Sequence, residues 1–332
     1  MTTEQVLLGP KEKKILVRRE AKSSQKYGSD PYLRSVEELI HYSIINVNKP
    51  KGPTSHQVSS YVQKILGIGK SGHSGTLDPK VTGVLPVALD RATRVVEALL
   101  KAGKEYVGIM HVHQEVPEVT LRKVLQQFVG RIKQLPPIKS SVKREWRFRN
   151  IYYFEILEIE GKEVLFRVGC QAGTYIRKLI HDMGQALETG ANMAKLVRTK
   201  AGPFVLDDAW TLQDLTDALW LYKNEKNEKF IRKVLRPIEE GVSHLPKIWV
   251  LDSTVDSLCH GSSLGVPGIA KVEAEIQKKD VVAILTLKNE LIGLGESGMI
   301  SKEMVQLPKG IAVKMDKVFM ERGTYPKMQK SD

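Results

Sequence analysis

One aspartate, Asp78, has the sequence surroundings expected of a reactive carboxylate. It stands between a Gly-Thr-Leu turn and Pro79, and further glycines occur within residues 73–86. Glycine allows the backbone to come close to a ligand, and a proline restricts the conformation of the residue that precedes it. A plain Asp-Pro turn has the same sequence, so this pattern by itself leaves the role of Asp78 open.

A second candidate, Arg177, stands one turn into a predicted helix for which Thr174 is the expected N-cap. There it could pair with a buried carboxylate and keep that group ionised, because a neighbouring cation lowers the pKa of an acid. The spacing alone favours the simpler interpretation, which is an exposed helix arginine.

Cations and aromatic rings interleave in residues 139–149, which contain five basic residues and one acidic residue. Such a stretch can bind phosphates while its rings stack on bases. An edge strand with a charged outer face is the alternative, but Pro136 and Pro137 favour a projecting loop that contacts nucleic acid. The candidate RNA-binding residues of this segment are Lys139, Lys143, Arg144, Arg147 and Arg149.

Two further patterns do not predict a site. Gly69-Lys70-Ser71 resembles the end of a phosphate-binding loop, but Lys64 stands where that motif requires a glycine. His111 and His113 could form a metal pair on one face of a strand, yet no third ligand is evident in the sequence. We therefore predict neither nucleotide hydrolysis nor a metal site.

The charge of the chain indicates an anionic partner. Its 332 residues include 51 Lys+Arg and 38 Asp+Glu, which gives a formal net charge of +13. Such a chain attracts polyanions, and nucleic-acid backbones are the commonest of these. A solvated lysine-rich surface without a partner is the alternative. With 42% hydrophobic and 27% charged residues, the composition excludes a collagen-like or wholly disordered chain.

The cellular compartment is predicted from the cysteines and from the apolar patterns. Cys170 and Cys259 are the only two cysteines and lie far apart, which argues against a disulfide-stapled fold, a thiol-redox site or a zinc finger. No apolar run reaches the ~18 residues of a membrane span, and no signal-peptide pattern is present at the start. We therefore expect a reducing, cytoplasmic location.

Both strands and helices are predicted among the elements that must position these residues. Strands are predicted at residues 44–47 and 106–112, with a hairpin formed by residues 151–159 and 164–170. Helices are predicted at residues 58–66, 121–129, 176–183, 211–219 and 230–235. Residues 67–83 contain too many glycines for regular structure. The mixture is typical of an α+β or an α/β body.

The pattern of predicted secondary structure changes near Leu245 and Pro246, where we place a domain boundary. Short predicted strands separated by turns follow at residues 248–251, 281–287, 291–295 and 311–320, which is typical of a small β-barrel module. At the other end, residues 1–40 are polar and charge-mixed. They form either a flexible arm or a segment that covers another domain.

Four stretches in a fixed order carry a resemblance to a known family. They are residues 46–55 (NVNKPKGPTS), 72–79 (GHSGTLDP), 104–108 (KEYVG) and 173–177 (GTYIR). The series closely resembles the TruB family of pseudouridine synthases, and residues 261–269 resemble a PUA RNA-binding domain. Residues 136–144 narrow the resemblance to the branch that forms the catalytic subunit of H/ACA ribonucleoproteins. The short termini are typical of archaeal members, and the resemblance covers residues from about 40 to 322.

The resemblance implies a fold and a domain organisation. The expected fold is α+β, with a mixed, largely antiparallel sheet, flanking helices and a second, small β-barrel-like PUA domain. The expected division is an N-terminal arm packed with the PUA domain (1–40), a catalytic domain (41–245), the PUA domain (246–322) and a tail (323–332).

The resemblance also assigns roles to residues. Asp78 would be the catalytic aspartate and Arg177 its ionic partner, while Tyr106 would stack on the target base and assist proton removal at C5. The residues implied to support the active site are Lys49 and Pro50, which brace its loop, and His73, which helps to hold the RNA. The thumb loop would comprise the residues around 139–149, and the residues implied to hold guide RNA are Leu264, Gly265 and Gly268.

The implied reaction is the RNA-guided isomerisation of uridine to pseudouridine. The N1–C1′ bond breaks, the base turns and C5 joins C1′, so nothing is oxidised or added and we expect no cofactor. An ionised carboxylate must attack, a base must remove the C5 proton, and the uridine must leave its stack at a cost of roughly a few kcal/mol. Whether the carboxylate attacks the base or the sugar stays open.

The resemblance implies partners as well. They are an H/ACA guide RNA, substrate rRNA or tRNA, the proteins Nop10 and Gar1, and L7Ae bound through the RNA. A standalone tRNA pseudouridine synthase of the bacterial type is the first alternative function. A non-catalytic scaffold for RNA and protein is the second.

Overall fold

The computed structural model describes residues 14–136 and 143–327. The described strands are β1 (Ile15–Val17), β2 (Ser43–Lys49), β3 (Ser71–His73), β4 (Thr82–Leu89), β5 (Lys104–Val112), β6 (Gly130–Gln134), β7 (Arg147–Glu160), β8 (Glu163–Cys170), β9 (Ala191–Ala201), β10 (Phe204–Val205), β11 (Arg236–Pro237), β12 (Lys247–Val250), β13 (Leu264–Gly265), β14 (Ile269–Glu273), β15 (Val281–Leu285), β16 (Leu291–Ser297) and β17 (Ile311–Val318). The described α-helices are α1 (Val36–His41), α2 (Ser55–Leu66), α3 (Val96–Lys101), α4 (Glu118–Gln126), α5 (Ile176–Ala186), α6 (Leu212–Glu225), α7 (Ile231–Val234), α8 (Asp252–Cys259) and α9 (Ser301–Gln306). None of these helices is long and apolar enough to cross a membrane.

The first sheet is mixed and largely antiparallel, as predicted. Its order is β11-β2-β4-β9-β5-β8-β7-β6, with β3 on β4 and β10 on β9. Among the described pairings of this sheet, β4 and β9 run parallel, and the others are antiparallel. Helices cover the sheet, and the predicted α+β class is confirmed.

Strand β2 shows how both faces of this sheet are buried. Ile45 and Val47 join a core cluster with Val58 of α2 and Leu215 of α6. Ile44, which points to the opposite face because side chains alternate along a strand, joins another cluster that includes Trp249 of β12. This second cluster contains residues of both sheets, so apolar packing joins them.

The second sheet includes a strand from the N-terminal segment. Its order is β1-β14-β12-β15-β16-β17-β13, and Ile15 and Val17 of β1 lie opposite Glu273 and Lys271 of β14. Arg18 also donates through Nη1 to the carbonyls of Met304 and Val305, at 3.0 and 2.8 Å. A flexible arm is therefore the wrong interpretation for residues 15–17, which extend the sheet by one edge strand.

Two local predictions are wrong. Residues 67–83 are not wholly irregular, because they contain β3 and the first residues of β4. Gly83 allows this arrangement: its φ is +105°, and a Cβ there would lie 2.3 Å from the carbonyl oxygen of Arg198. Thr174 is not the N-cap of α5, since Tyr175 takes that position and the Thr174 hydroxyl donates to the carbonyl of Gln171 at 2.7 Å.

Candidate active site

Asp78 lies in the loop between β3 and β4, and the residue before it is anchored. The backbone N–H of Leu77 donates to Ser55 Oγ at 2.9 Å, and the Leu77 side chain is buried. On the other side, the N–H of Val81 donates to the Asp78 carbonyl at 2.9 Å and closes a turn. The start of α2 and this turn therefore hold Asp78 in place.

The structure brings Asp78 and Arg177 together in an ion pair. Helix α5 places Ile176 and Leu179 in the core, so Arg177 lies on the outer side of the helix. The Arg177 side chain is 62% exposed and that of Asp78 is 52% exposed. The sequence left open whether Arg177 pairs with a buried carboxylate or is an exposed helix arginine. The structure shows the pair, with both side chains exposed because the Asp78 loop lies at the surface.

Lys49 is fully buried below this loop. Its Nζ donates to the carbonyls of Pro50 at 2.8 Å, Val81 at 3.0 Å and Pro79 at 3.4 Å. Burial lowers the pKa of Lys49, and the charge of Arg198 lowers it further. Pro50 is itself exposed, and its carbonyl is the group that contacts Lys49. The two residues therefore connect the end of β2 to the turn after Asp78.

Tyr106 is partly buried on β5. Burial raises the pKa of its phenol, whereas the charge of Arg198 and a hydrogen bond from that guanidinium lower it. The Asp78 carboxylate acts on the Tyr106 pKa as well and raises it. An aromatic ring, a carboxylate and two arginines therefore meet at the ends of β4, β5, β9 and α5.

The sequence analysis missed Arg198, the buried cation of this group. Its side chain is 1% exposed, its Nε donates to the Val84 carbonyl at 2.7 Å, and its Nη2 donates to the Gly75 carbonyl at 3.2 Å. One signal was available: Arg198 follows the buried Leu196 by two residues, which places it on the inward face of a strand.

His73 lies beside another histidine at the end of β3. Its ring meets His56 of α2 edge to face, with 4.9 Å between the centroids. Burial lowers the pKa of His73, and the neighbouring charges of His56 and Arg198 lower it further. His73 Nδ1 is buried and has no hydrogen-bond partner among the described residues.

Residues 147–149 of the interleaved basic and aromatic segment form the start of β7, which pairs with β6. Trp146 and Phe148 are exposed. Lys133 Nζ lies 4.9 Å from the centre of the Trp146 ring, and the Arg131 guanidinium lies 3.9 Å from that of Phe148. The cations that cover these rings therefore come from β6, and the sequence analysis did not include them.

The arginines of β7 lie on its other face. Arg149 packs beside Gly173, where a Cβ would lie 3.0 Å from its Nη2, and thus adjoins the loop before α5. Lys143 pairs with Glu145, and Arg144 is exposed. Arg147 is half-buried and donates through Nη2 to the Lys143 carbonyl at 3.3 Å. Lys139 lies outside the described residues.

The residues predicted to hold guide RNA differ in accessibility. Leu264 is fully buried in the core of the second sheet, so its side chain contributes packing, and the guide-RNA contact near it stays a prediction. Gly268 packs against Thr254, with 2.7 Å from an added Cβ to that side chain, whereas Gly265 is more open. A cleft of about 290 Å³ beside them is lined by Arg18, Arg19, Pro267, Val305 and Gln306.

His111 of β5 and His113, which follows the end of that strand, have other partners. His111 Nδ1 lies 2.6 Å from Glu163, and His113 Nε2 lies 3.0 Å from Asn192. Within residues 14–136 and 143–327, no group of three or more His, Cys, Asp or Glu could hold a metal ion.

Family models and relatives match almost the entire chain. Residues 63–176 match the TruB family pseudouridylate synthase N-terminal domain, residues 177–243 the tRNA pseudouridylate synthase B C-terminal domain, residues 246–319 the PUA domain and residues 4–59 the DKCLD domain. "Probable tRNA pseudouridine synthase B" of Pyrococcus abyssi is 55% identical over 93% of this chain and 92% of its own length. The chain belongs to the TruB family of pseudouridine synthases. Its relative of the same description in Nanoarchaeum equitans is 54% identical over 95% of this chain and 90% of its own length.

Solved structures place this TruB-family chain within one branch. A chain of a Cbf5-Nop10-Gar1 complex matches with a TM-score of 0.91 and 51% identity, over 97% of this chain and 98% of that chain. A chain of an H/ACA ribonucleoprotein bound to a substrate RNA containing 2′-deoxyuridine matches with a TM-score of 0.90 and 49% identity, over 98% and 99%. The predicted resemblance and the predicted enzyme class, a pseudouridine synthase, are confirmed.

Proposed function

We propose that this TruB-family enzyme isomerises uridine to pseudouridine in RNA that an H/ACA guide RNA selects, as the catalytic subunit of a ribonucleoprotein. Two observations support this function together. The ion pair of Asp78 and Arg177 lies beside Tyr106, and the fold matches catalytic chains of H/ACA complexes over almost its full length. Nop10, Gar1, guide RNA and substrate RNA are the proposed partners, with L7Ae joining through the RNA.

The exposed ion pair explains how the negative charge of the carboxylate is stabilised when RNA binds. In the free protein, water and Arg177 both stabilise the charge of Asp78. A flipped uridine that covers the loop removes the water, and the attraction between the two charges then strengthens because the local dielectric constant falls. Arg177 thus compensates the charge of the carboxylate for the water that it loses.

The proposed roles follow the order of the reaction. Asp78 attacks the sugar or the base and so allows the N1–C1′ bond to break. The base turns, C5 joins C1′, the bond to Asp78 breaks and frees its carboxylate, and the C5 proton leaves while N1 gains a proton. Tyr106 stacks on the base and assists removal of the C5 proton. Lys49 and Pro50 hold the loop, and His73 contacts the RNA.

Two surfaces are proposed to bind RNA. The first combines the exposed rings of Trp146 and Phe148 with the cations of β6 and β7, near residues 139–149. The second lies on the PUA domain at Gly265 and Gly268, beside the cleft formed with the N-terminal segment. The proposed division is an arm (1–40), a catalytic domain (41–245), a PUA domain (246–322) and a tail (323–332), acting in the cytoplasm.

Release of tritium from RNA that carries 5-tritiated uridine tests this function. We expect release in the reconstituted complex only when the guide RNA matches the substrate, and we expect Asp78→Asn to abolish it. A mismatched guide and Asp182→Asn, which alters an acid that pairs with Lys178 on the same helix as Arg177, are the controls. Release by Asp78→Asn at the wild-type rate contradicts the assignment of the nucleophile.

The names of the relatives favour a second substrate. Each of the two relatives described above is a "Probable tRNA pseudouridine synthase B", so bare tRNA belongs in the same assay. If tritium is released from bare tRNA at a rate that does not depend on guide RNA, this supports a standalone tRNA activity in addition to, or instead of, the guided one.

A further inference from the structure

A buried arginine lies beneath the proposed active site. Arg198 is 1% exposed, and within residues 14–136 and 143–327 the titratable groups that act on it are Tyr106 and Cys170, neither of which is a carboxylate. Removing a guanidinium from water is costly unless other groups satisfy it. The oxygen acceptors around Arg198 must therefore supply this compensation.

Backbone carbonyls of two segments supply those acceptors. Nε donates to the Val84 carbonyl of β4 at 2.7 Å, and Nη2 donates to the Gly75 carbonyl, in the loop that leads to Asp78, at 3.2 Å. Tyr106 of β5 lies opposite Arg198 in the strand register, and the charge of the guanidinium and hydrogen bonding to it lower the pKa of the phenol. One side chain of β9 therefore connects β4, the Asp78 loop and β5.

The strand register directs the side chain to this place. Arg198 lies opposite Tyr106 of β5 and, on its other side, opposite Gly83 of β4. Because Gly83 has no Cβ, β9 approaches β4 closely. Gly75 also has a positive φ, +110°, so its carbonyl can turn toward the guanidinium.

The charge of Arg198 acts on the other groups of the site. It lowers the pKa of Tyr106, against the effect of burial, and it lowers the pKa of Lys49 and of His73. Its position is thus coupled to Tyr106, to Lys49, which holds the loop, and to His73.

We propose that Arg198 is a positioning residue that fixes the phenol oxygen of Tyr106 relative to the Asp78 loop. The inference rests on the proposed function. A guanidinium suits this task because its donors are held in one rigid plane. When reacting groups shift by about 1 Å, the rate of a well-oriented reaction falls by about 100-fold.

Kinetics separate this role from a general contribution to folding. We expect Arg198→Met to lower the kcat of tritium release about 10- to 100-fold, with KM for substrate RNA within about threefold of wild type. In a Tyr106→Phe background the same substitution should lower the remaining kcat by less than about threefold, because the acceptor is already absent. Arg198→Lys, which keeps a charge but lacks the planar fork, should not restore the rate.

A matched control removes a different buried arginine. Arg34 is a largely buried guanidinium, with 11% of its side chain exposed, held by Glu239 at 2.7 and 2.8 Å, and nothing places it in the active site. Arg34→Met should lower the melting temperature and leave kcat unchanged at temperatures where the protein is folded. A fall in kcat as large as that of Arg198→Met would overturn the inference.

A spectroscopic measurement reports on Tyr106 without catalysis. In protein labelled with ¹³C at tyrosine Cζ, the Tyr106 signal is identified by its loss in Tyr106→Phe. We expect Arg198→Met to shift that signal and Arg34→Met to leave it in place; if Arg198→Met does not fold, Arg198→Lys is used. An unshifted signal, or equal loss of kcat in the presence and absence of the Tyr106 hydroxyl, overturns the inference. If the wild-type protein releases no tritium, the proposed function is wrong, and the ¹³C signal still tests whether Arg198 positions Tyr106.

Discussion

Replacing Arg177 by methionine should separate the stability of the protein from its activity. The ion pair with Asp78 has side chains that are 62% and 52% exposed. Exposed pairs contribute about 0.2–1 kcal/mol to stability, because water screens them and their side chains lose entropy. Arg177→Met should therefore lower the melting temperature by no more than about 4 °C.

The effect on the reaction should be much larger. In the RNA complex the substrate excludes water from the pair, and charge stabilisation in a site without water is worth about 2.7–4 kcal/mol per donor, or roughly 100- to 1,000-fold in rate. We expect that loss in the single-turnover rate of tritium release at saturating complex. Arg177→Lys should recover part of the rate, since it keeps the charge without the bidentate geometry.

Arg122 provides the matched control. It pairs with Glu118 at 2.7 Å, with side chains 52% and 58% exposed, on α4. Arg122→Met should cost as little stability as Arg177→Met and should leave the rate unchanged. The reasoning is wrong if the two variants differ in rate by less than about threefold, or if Arg177→Met alone loses more than about 2 kcal/mol of stability.

Three further predictions follow from the structure. Gly268→Ala should destabilise the second sheet and its guide-RNA binding together, because the added methyl group would lie 2.7 Å from Thr254, whereas Gly265→Ala should keep the fold; calorimetry and RNA binding compare the two. Lys104, whose Nζ donates to three carbonyls, has a pKa lowered by burial to about 7, so the unfolded chain binds the additional proton between about pH 7 and 10.5. The free energy of unfolding, measured by denaturant titration, should therefore rise with pH across that window. The contribution of Lys104 is lost by the time the pH has fallen to about 7, and the rise should be absent in Lys104→Met. Trp146→Ala should weaken substrate-RNA binding by about 1–3 kcal/mol without changing its salt dependence, whereas Arg147→Met should reduce the salt slope by about 0.7.

The identity of the reacting groups could be predicted from local sequence. Asp78, Tyr106 and Arg177 stand in short motifs whose order and spacing specify the family. Such motifs can be recognised in a sequence because each consists of residues that are neighbours along the chain. The hairpin of β7 and β8 was predictable for the same reason, since an alternating pattern and a turn are local features. The net charge of +13 likewise indicated an anionic partner before any fold was known.

Only the tertiary structure decided how these groups are surrounded. Burial depends on which distant segments pack together, so the exposed state of Asp78, the buried state of Leu264 and the pairing of β1 with β14 could not be derived from spacing. The cations over Trp146 and Phe148 come from a neighbouring strand for the same reason. Arg198 is the clearest case: its two carbonyl acceptors lie 114 and 123 residues before it in sequence, and only the register of β9 between β4 and β5 brings them to its guanidinium.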